Sequence, residues 1–140
     1  MPETDTIPVS ASTASTGLGV RYIGNWAYCL SGTFDANTNQ QTTLDFTSGS
    51  GVIVAKFLLT QFVREDTVGS TETTVGTITF NGETVTQVMV GHNSVDSPSK
   101  VTVPLIIPPF TVVTVTLRAG TTAATRQATV SMAGRVYGAE

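Results

Sequence analysis

The sequence predicts an all-β fold, a two-sheet antiparallel sandwich of about eight strands that is jelly-roll-like and carries a flexible N-terminal arm. From Trp26 onward, apolar and polar residues alternate between breaks of Gly, Asn, Asp and Pro, which is the pattern of half-buried strands. No stretch keeps a helical spacing for three turns. Thr supplies 26 of the 140 residues, and its branched Cβ suits a pleated sheet better than a helix.

The N-terminal segment, Met1 to Thr16, is rich in Ser, Thr, Ala and Pro. This composition has too little apolar surface to order itself alone. We therefore expect an extended arm over residues 1–16, with Ile7, Val9 and Leu18 as its contacts, and a single sandwich domain over residues 17–140. The segment lacks the features of a signal peptide, and no later segment approaches a membrane span, so we expect synthesis in the cytoplasm and no membrane partner.

Short strands at regular spacing favour a sandwich or barrel. Pro108-Pro109 cannot donate to a sheet ladder, so we expect the chain to cross there from one sheet to the other. The expected strands are Trp26 to Phe34, Gln41 to Thr47, Gly51 to Val63, Gly76 to Asn81, Gly82 to Gly91, Lys100 to Ile107, Phe110 to Arg118, and Arg126 to Tyr137.

The clearest local element is the hairpin centred on Asn81-Gly82, because both residues tolerate positive φ in a two-residue turn. A tight turn sets the register of the two strands. Cross-strand pairing then predicts three facing pairs, which are Ile78 with Val85, Thr79 with Thr84, and Thr77 with Thr86.

The segment Val52 to Val63 breaks the alternation, because both residue phases are mainly apolar. Only one face of a strand meets the core of a two-layer sandwich, and an uncovered apolar face is normally covered by something. A subunit interface or docking surface is one interpretation; cover by residues 64–75 or by the N-terminal arm is the other. The expected inward residues are Ile53, Ala55, Phe57, Leu59 and Val63, and the expected interface residues are Val52, Val54, Leu58 and Phe62.

Charge argues against nucleic acid as a partner. The chain has 7 Lys and Arg against 10 Asp and Glu, a net charge of -3, and its basic residues are scattered along the sequence. The single cysteine, Cys29, cannot form an internal bridge and is expected to be a small buried hydrophobe.

No residue set predicts catalysis, a metal or a cofactor. Ser94, His92 and Asp96 lie on one loop, where three side chains rarely form a triad. Asp35 to Asn39 resembles the start of a calcium loop but lacks its glycine and final glutamate, so a hairpin turn is expected, with a weak cation contact left open. One His and one Cys are too few for a usual zinc site. We therefore expect a protein that is not an enzyme.

Flat aromatic rings can stack on sugars, and four aromatic residues could offer such faces, namely Trp26, Tyr28, Tyr22 and Tyr137. Trp26, Tyr28, Leu30 and Phe34 share one strand phase, so core burial is the simpler interpretation for the two aromatic residues Trp26 and Tyr28. Sugar binding stays open as an alternative.

A Ser/Thr-rich arm, about eight Thr- and Val-rich strands, few charges, no catalytic set and the closing strand Ser131 to Gly138 resemble small jelly-roll virion proteins of tailed bacteriophages. Capsid decoration or cement proteins are the nearest group, and the resemblance extends over the whole chain. It implies a homotrimer, located on the virion, that binds itself and the major capsid protein or another virion protein and stabilises the outer shell. The alternative is a receptor- or glycan-binding head module of a phage tail or fibre, and an enzyme of unfamiliar type is a third possibility.

Overall fold

The computed structural model describes residues 20–63, 73–91, 99–120 and 123–138. These ranges form strands and turns without any helix, so they hold no helix that could cross a membrane. The nine strands are β1 (Arg21–Ile23), β2 (Trp26–Ala36), β3 (Gln41–Thr47), β4 (Val52–Val63), β5 (Thr74–Phe80), β6 (Glu83–Val90), β7 (Ser99–Ile107), β8 (Val112–Ala119) and β9 (Ala123–Tyr137).

The strands form two antiparallel sheets, a five-stranded sheet in the order β1-β2-β9-β4-β7 and a four-stranded sheet in the order β3-β8-β5-β6. From β2 onward, the chain changes sheet at every connection except the β5–β6 hairpin. This winding is that of a jelly roll, so the predicted fold class is confirmed, and so is the crossing at Pro108-Pro109. The short edge strand β1 was not predicted.

The core lies between the two sheets. Strand β4 contributes Ile53, Ala55, Phe57 and Leu59, all at most 4% exposed, which confirms the predicted inward phase for these four; the side chain of Val63 lies outside the described residues. Full burial of each large apolar side chain stabilises the fold by about 1.5–3 kcal/mol. The largest other core side chains are Leu44, Phe46, Ile107, Val113, Val130 and Met132.

One buried polar pair joins the sheets at the far end of the core. Gln61 of β4 is fully buried and Thr74 of β5 is 4% exposed. The Thr74 hydroxyl donates a hydrogen bond to Oε1 of Gln61. Because a buried polar group without a partner is costly, this contact favours the observed alignment of the two sheets.

The predicted hairpin turn is confirmed, since Asn81 and Gly82 have φ values of 54° and 86°. The predicted register is correct only next to the turn, where Thr79 faces Thr84. Beyond that pair a β-bulge leaves Val85 out of the ladder, because one extra residue on β6 opposes β5. The facing pairs are therefore Ile78 with Thr86 and Thr77 with Gln87, and the predicted partners were wrong.

The predicted hairpin at Asp35 to Asn39 was also wrong. β2 and β3 belong to different sheets, so this connection crosses the sandwich. Its turn is closed locally, where the Asn39 amide donates to Oδ1 of Asn37 at 2.9 Å. The described ranges contain no cluster of three or more His, Cys, Asp and Glu side chains that could hold a metal ion. His92, Ser94 and Asp96 lie outside those ranges.

Candidate functional site

The candidate site is the outward surface of the five-stranded sheet, which we call the five-strand outer face. Successive side chains of a strand point to opposite sides of the sheet, so every second residue belongs to this surface. Pairing between the strands arranges these residues in transverse rows. The first row is Ile23, Trp26, Arg135, Val54 and Ile106; the second is Arg21, Tyr28, Ala133, Lys56 and Pro104; the third is Leu30, Ser131, Leu58 and Thr102.

These three rows are unusually apolar for a surface. Of the eleven exposed large hydrophobic residues among those described, seven lie on this face. The first row crosses the whole sheet, a width of about 19 Å for five strands. Single exposed hydrophobic residues are normal, but a contiguous group of this kind indicates a binding surface. The seven are Ile23, Trp26, Tyr28, Leu30, Val54, Ile106 and Tyr137.

The same face carries most of the described positive charge. Four of the five basic side chains that the structure describes point outward here, namely Arg21, Lys56, Lys100 and Arg135. Among the described acids only Asp35 shares the face. It lies at the opposite end, where its Oδ1 accepts a hydrogen bond from Nε2 of Gln127 at 2.6 Å.

Arg135 is the centre of the first row. Its guanidinium carbon lies 5.8 Å from the centroid of the Trp26 ring and 5.7 Å from that of the Tyr137 ring. Both distances are within the range of cation–π attraction. The two contacts orient the side chain between aromatic rings, so the charge is presented within an apolar surrounding.

The face is apolar at one end only. Beyond Leu30, the outward positions of β2, β9 and β4 become Thr33, Thr129 and Thr60, with Lys100 on β7. The transition on β2 coincides with a bulge between Leu30 and Thr33. The candidate site is thus limited to the first three rows and their neighbours Tyr137 and Val52.

The prediction that Trp26 and Tyr28 are buried was wrong. They are 42% and 40% exposed, whereas Ala27 and Cys29 of the opposite phase are buried. Ala27 faces Gly134 and Cys29 faces Met132 on β9, and paired residues point to the same side of a sheet. Gly134 is tightly packed, since a Cβ there would lie 2.6 Å from Cγ2 of Ile53, and the inward residue opposite it on β2 is the small Ala27.

A bulge in β2 explains why every second residue of this strand does not stay on one side of the sheet along its whole length. Gly32 has a φ of 82°, and the hydroxyl of Ser31 accepts a hydrogen bond from the Val130 amide at 2.9 Å. An extra residue reverses the phase of everything that follows. Phe34 therefore pairs with the buried Ala128, although it shares the sequence phase of Trp26.

The sequence-predicted interface residues are brought together in part. Val54 is 47% exposed, while Val52 and Leu58 are half-buried on the same face. The side chain of Phe62 and the predicted arm contacts Ile7, Val9 and Leu18 lie outside the described residues.

Several outward residues of the site were not predicted, among them Ile23 and Ile106, whereas Tyr137 had been considered only as a ring for sugar stacking. For β7 the sequence did contain a signal, because Leu105-Ile106-Ile107 is apolar in both phases, as β4 is. For β1 no comparable signal exists, since a strand of three residues is too short to show a period.

A strained loop follows β7 at the apolar end of the sheet. Phe110 has a φ of 53° and is 69% exposed, a conformation that a bulky residue rarely adopts. The loop is held to the β3–β4 connection: the Phe110 amide donates to the Gly49 carbonyl at 2.8 Å, and the Thr111 amide donates to Oγ of Ser48 at 2.8 Å. These contacts fix an aromatic ring in solvent.

Cys29 lies beneath the face and takes no part in it. Burial raises the pKa of its thiol to about 12, partly offset by a hydrogen bond with the backbone of Leu30. The thiol therefore stays protonated at neutral pH and is a poor nucleophile. The expectation of a small buried hydrophobe is confirmed.

No protein-family model and no curated protein matches the sequence. Among solved structures, a chain in the structure of the infectious bursal disease virus Gx strain is 12% identical, with a TM-score of 0.56 over 82% of this chain and 32% of that chain. The protein thus spans about a third of the length of that viral chain.

Two other solved structures are more distant. The CBM36-1 domain of a multidomain xylanase from the hindgut metagenome of Trinervitermes trinervoides is 16% identical over 96% of each chain, with a TM-score of 0.40. An insecticidal delta-endotoxin of Bacillus thuringiensis is 7% identical, covers 76% of this chain and 19% of that chain, and has a TM-score of 0.45. At these identities, the likeness to the viral chain shows a shared jelly-roll fold.

Proposed function

We propose that this protein is a structural virion protein of the capsid decoration type, which binds the outer shell through the first three rows of the five-strand outer face. The observation that carries the proposal is the combination of contiguous apolar rows with three cations, Arg21, Lys56 and Arg135, on a chain of net charge -3. Monomers rarely expose contiguous apolar patches larger than a few hundred Å². The virion location, the tailed-phage source and the absence of enzymatic activity are parts of this proposal.

The chemistry of the face suits a protein surface with acidic groups. Ile23, Val54 and Ile106 supply apolar area, and burial of such area is the main favourable contribution to association. The cations around them complement an acidic partner and set its orientation. Aliphatic side chains separate the cations, which favours a folded protein over a phosphate backbone.

A homotrimer seated on the major capsid protein, or on another virion protein, completes the proposal. The trimer contact would use a different surface, because pairing this face with its copy would bring four cations against four. Multivalent seating would multiply contacts that are weak one by one. Native mass spectrometry of the purified protein measures the copy number, and a monomer at all concentrations would contradict the trimer.

The test is binding to purified virus particles that lack the protein. We expect the wild type to cosediment with the particles and the Lys56→Glu/Arg135→Glu double variant to bind at least about tenfold more weakly. Arg118→Glu is the matched control for each of the two single variants, since Arg118 is an exposed cation on the other sheet, and it should bind as the wild type does. Equal binding of the double variant and the wild type would show that this face is not the docking surface.

A glycan-binding head module is the second candidate, and the exposure of Trp26 and Tyr28 favours it, since Tyr28 also lines a shallow depression. This depression is lined by Arg21, Tyr28, Leu30, Ser131 and Ala133, with Cys29 and Met132. Aromatic rings can stack on the apolar face of a sugar while the arginine donates to its hydroxyls. A glycan array tests this function, and Tyr28→Ala should abolish any specific signal.

A further inference from the structure

An apolar face that awaits a partner is also an aggregation hazard, and the geometry of the fold limits what part of the chain could cover it. Four segments lie between or before the described ranges and could in principle reach the first row. They are residues 1–19, 64–72, 92–98 and 121–122, and residues 139–140 follow the last range.

The segment 64–72 is too short for this role. It follows β4 at the end opposite to the first row, since Val54 and Val63 are nine residues apart on the same strand, about 30 Å in an extended strand. The segment must then return to β5 in the other sheet. Ten peptide units between Val63 and Thr73 span at most about 35 Å, which is far less than the outward and return distances together.

The other internal segments fail for the same reason. Residues 92–98 lead into Ser99, which pairs with Gln61, seven residues from Val54 and about 24 Å along the strand. Eight peptide units span at most about 28 Å, which is less than the distance to the first row and back. Residues 121–122 are too few to cover a row of five strands.

Only the N-terminal segment has both the position and the length. It joins the described chain at Val20, directly before Arg21 in the second row. The sheet is about 19 Å wide, and residues 10–19 alone can span about 33 Å. Residues 2–9 can therefore lie over any strand of the apolar end.

Charge and composition match as well. Residues 1–19 contain Glu3 and Asp5 and neither Lys nor Arg, whereas the face carries Arg21, Lys56, Lys100 and Arg135. The apolar residues Ile7 and Val9 follow the two acids directly. A second copy of the face is the wrong occupant, because its four cations would repel the four already present.

We propose that residues 2–9 occupy the apolar end of the five-strand outer face of their own chain, with Glu3 and Asp5 towards its cations and Ile7 and Val9 on its apolar side chains. The segment keeps the face covered in the free protein, and any partner must displace it. This inference goes beyond the proposed function and does not depend on what that partner is.

The test uses a probe that the chain already contains. Trp26 is its only tryptophan, it lies in the first row, and it is 42% exposed. Acrylamide quenching measures how accessible the Trp26 indole is to solvent. Because acrylamide is neutral, a change in the charge of the protein does not by itself alter its approach to the ring. The experiment uses the full chain at low ionic strength.

We expect Glu3→Lys/Asp5→Lys to raise the quenching constant of Trp26 about twofold, because repulsion replaces attraction between segment and face. In wild type, about 1 M NaCl should have the same effect, since the Debye length falls to about 3 Å. Asp45→Lys/Glu83→Lys is the matched control, with an identical change in net charge on the four-stranded sheet, and should leave quenching unchanged. Circular dichroism and thermal unfolding verify that each variant is folded.

Equal quenching constants in wild type and Glu3→Lys/Asp5→Lys would overturn the inference. It would also be overturned if quenching of the wild type fell as protein concentration rose, because a neighbouring molecule would then be the cover. Particle binding is no part of this measurement, so failure here leaves the proposed function standing, and failure of particle binding leaves this inference standing.

Discussion

The two outward faces of this sandwich cover the same core and differ in chemistry over their central rows. On the four-stranded sheet, pairing places Asp45, Thr114, Thr79 and Thr84 in one row and Thr42, Thr116, Thr77 and Gln87 in the next. These residues are mostly threonines. The five-strand outer face has aliphatic, aromatic and cationic side chains in the corresponding rows.

This difference shows which outward side chains are not required for folding. Threonine retains the branched Cβ that favours a strand, and its hydroxyl finds partners on the surface: Oγ1 of Thr77 accepts from Nε2 of Gln87 at 3.1 Å. The outward surface of the four-stranded sheet, which we call the four-strand outer face, shows that an outward surface of this fold can be polar. The apolar rows of the other face are therefore not explained by the stability of the sandwich, and binding is the remaining physical reason for them.

The largest expected effect compares one glycine from each sheet. A Cβ at Gly134 would lie 2.8 Å from Cα of Ala55 and 2.8 Å from the Val54 carbonyl oxygen, and backbone atoms cannot move aside. We expect Gly134→Ala to lower the free energy of unfolding by at least about 3 kcal/mol, against about 1 kcal/mol for Gly76→Ala, where the nearest atom is the end of the Leu59 side chain, at 2.9 Å. Urea denaturation measures both, and equal losses would contradict the packing argument.

The second effect tests the polar link between the sheets. Thr74→Val leaves the amide of Gln61 without its buried hydroxyl partner, so we expect a loss of about 1–3 kcal/mol in unfolding free energy. Thr116→Val, on the four-strand outer face, is the control and should change stability by less than about 0.5 kcal/mol. Both variants replace a threonine by valine. A similar loss of unfolding free energy in both would show that the hydrogen bond between Thr74 and Gln61 adds no stability of its own.

The third effect is a dependence of the unfolding free energy on pH, which arises from Cys29 beneath the five-strand outer face. The Cys29 thiol has its pKa raised from 9.0 to about 12 by burial, so the unfolded chain releases this proton first as pH rises. Stability is therefore fully present below pH 9 and is expected to fall between pH 9 and pH 12, by up to about 1.4 kcal/mol per pH unit.

Tyr22 acts in the same direction, because burial raises its pKa as well, although the hydrogen bond from the Gly49 amide partly opposes this. Chemical denaturation at a series of alkaline pH values measures the combined slope. Cys29→Ala is the control, in which the slope should decrease; an unchanged slope would mean that Tyr22 or another group causes it.

The smallest change in unfolding free energy is expected when exposed apolar residues of the five-strand outer face are replaced by threonine, the residue type that dominates the outward rows of the four-stranded sheet. Val54→Thr/Ile106→Thr should alter unfolding free energy by no more than about 0.5 kcal/mol per site, yet reduce the fluorescence of a bound hydrophobic dye and weaken particle binding. Val85→Thr/Met89→Thr, on β6, is the matched control. If the control reduces particle binding as much as the double variant does, the apolar rows of the five-strand outer face lose their assigned role.

Much of the fold could be predicted because alternation is a local property. The strands β3, β4, β8 and β9 were predicted within three residues of their observed ends, and the inward phase of β4 was correct from Ile53 to Leu59. The turn at Asn81-Gly82 was also correct, since positive φ is a property of those residue types. Each of these inferences needed only neighbouring residues.

The candidate site was predicted only in part, because its rows combine five strands that are distant in sequence. Val54 was identified from its own strand, but its row neighbours Arg135, Ile106 and Trp26 come from three other strands. The outward orientation of Trp26 depended on the small residue opposite Ala27, at Gly134, which no local pattern reveals.

Composition and residue period predicted the fold class, most strand positions and an excess of apolar surface over what one core can bury, because both are properties of neighbouring residues. Strand pairing and packing set which side chains share a face, where bulges at Ser31-Gly32 and Val85 reverse or shift a strand, and how four scattered cations come together on one side. Those features depend on register, and register is fixed only when strands from distant parts of the chain pair and pack.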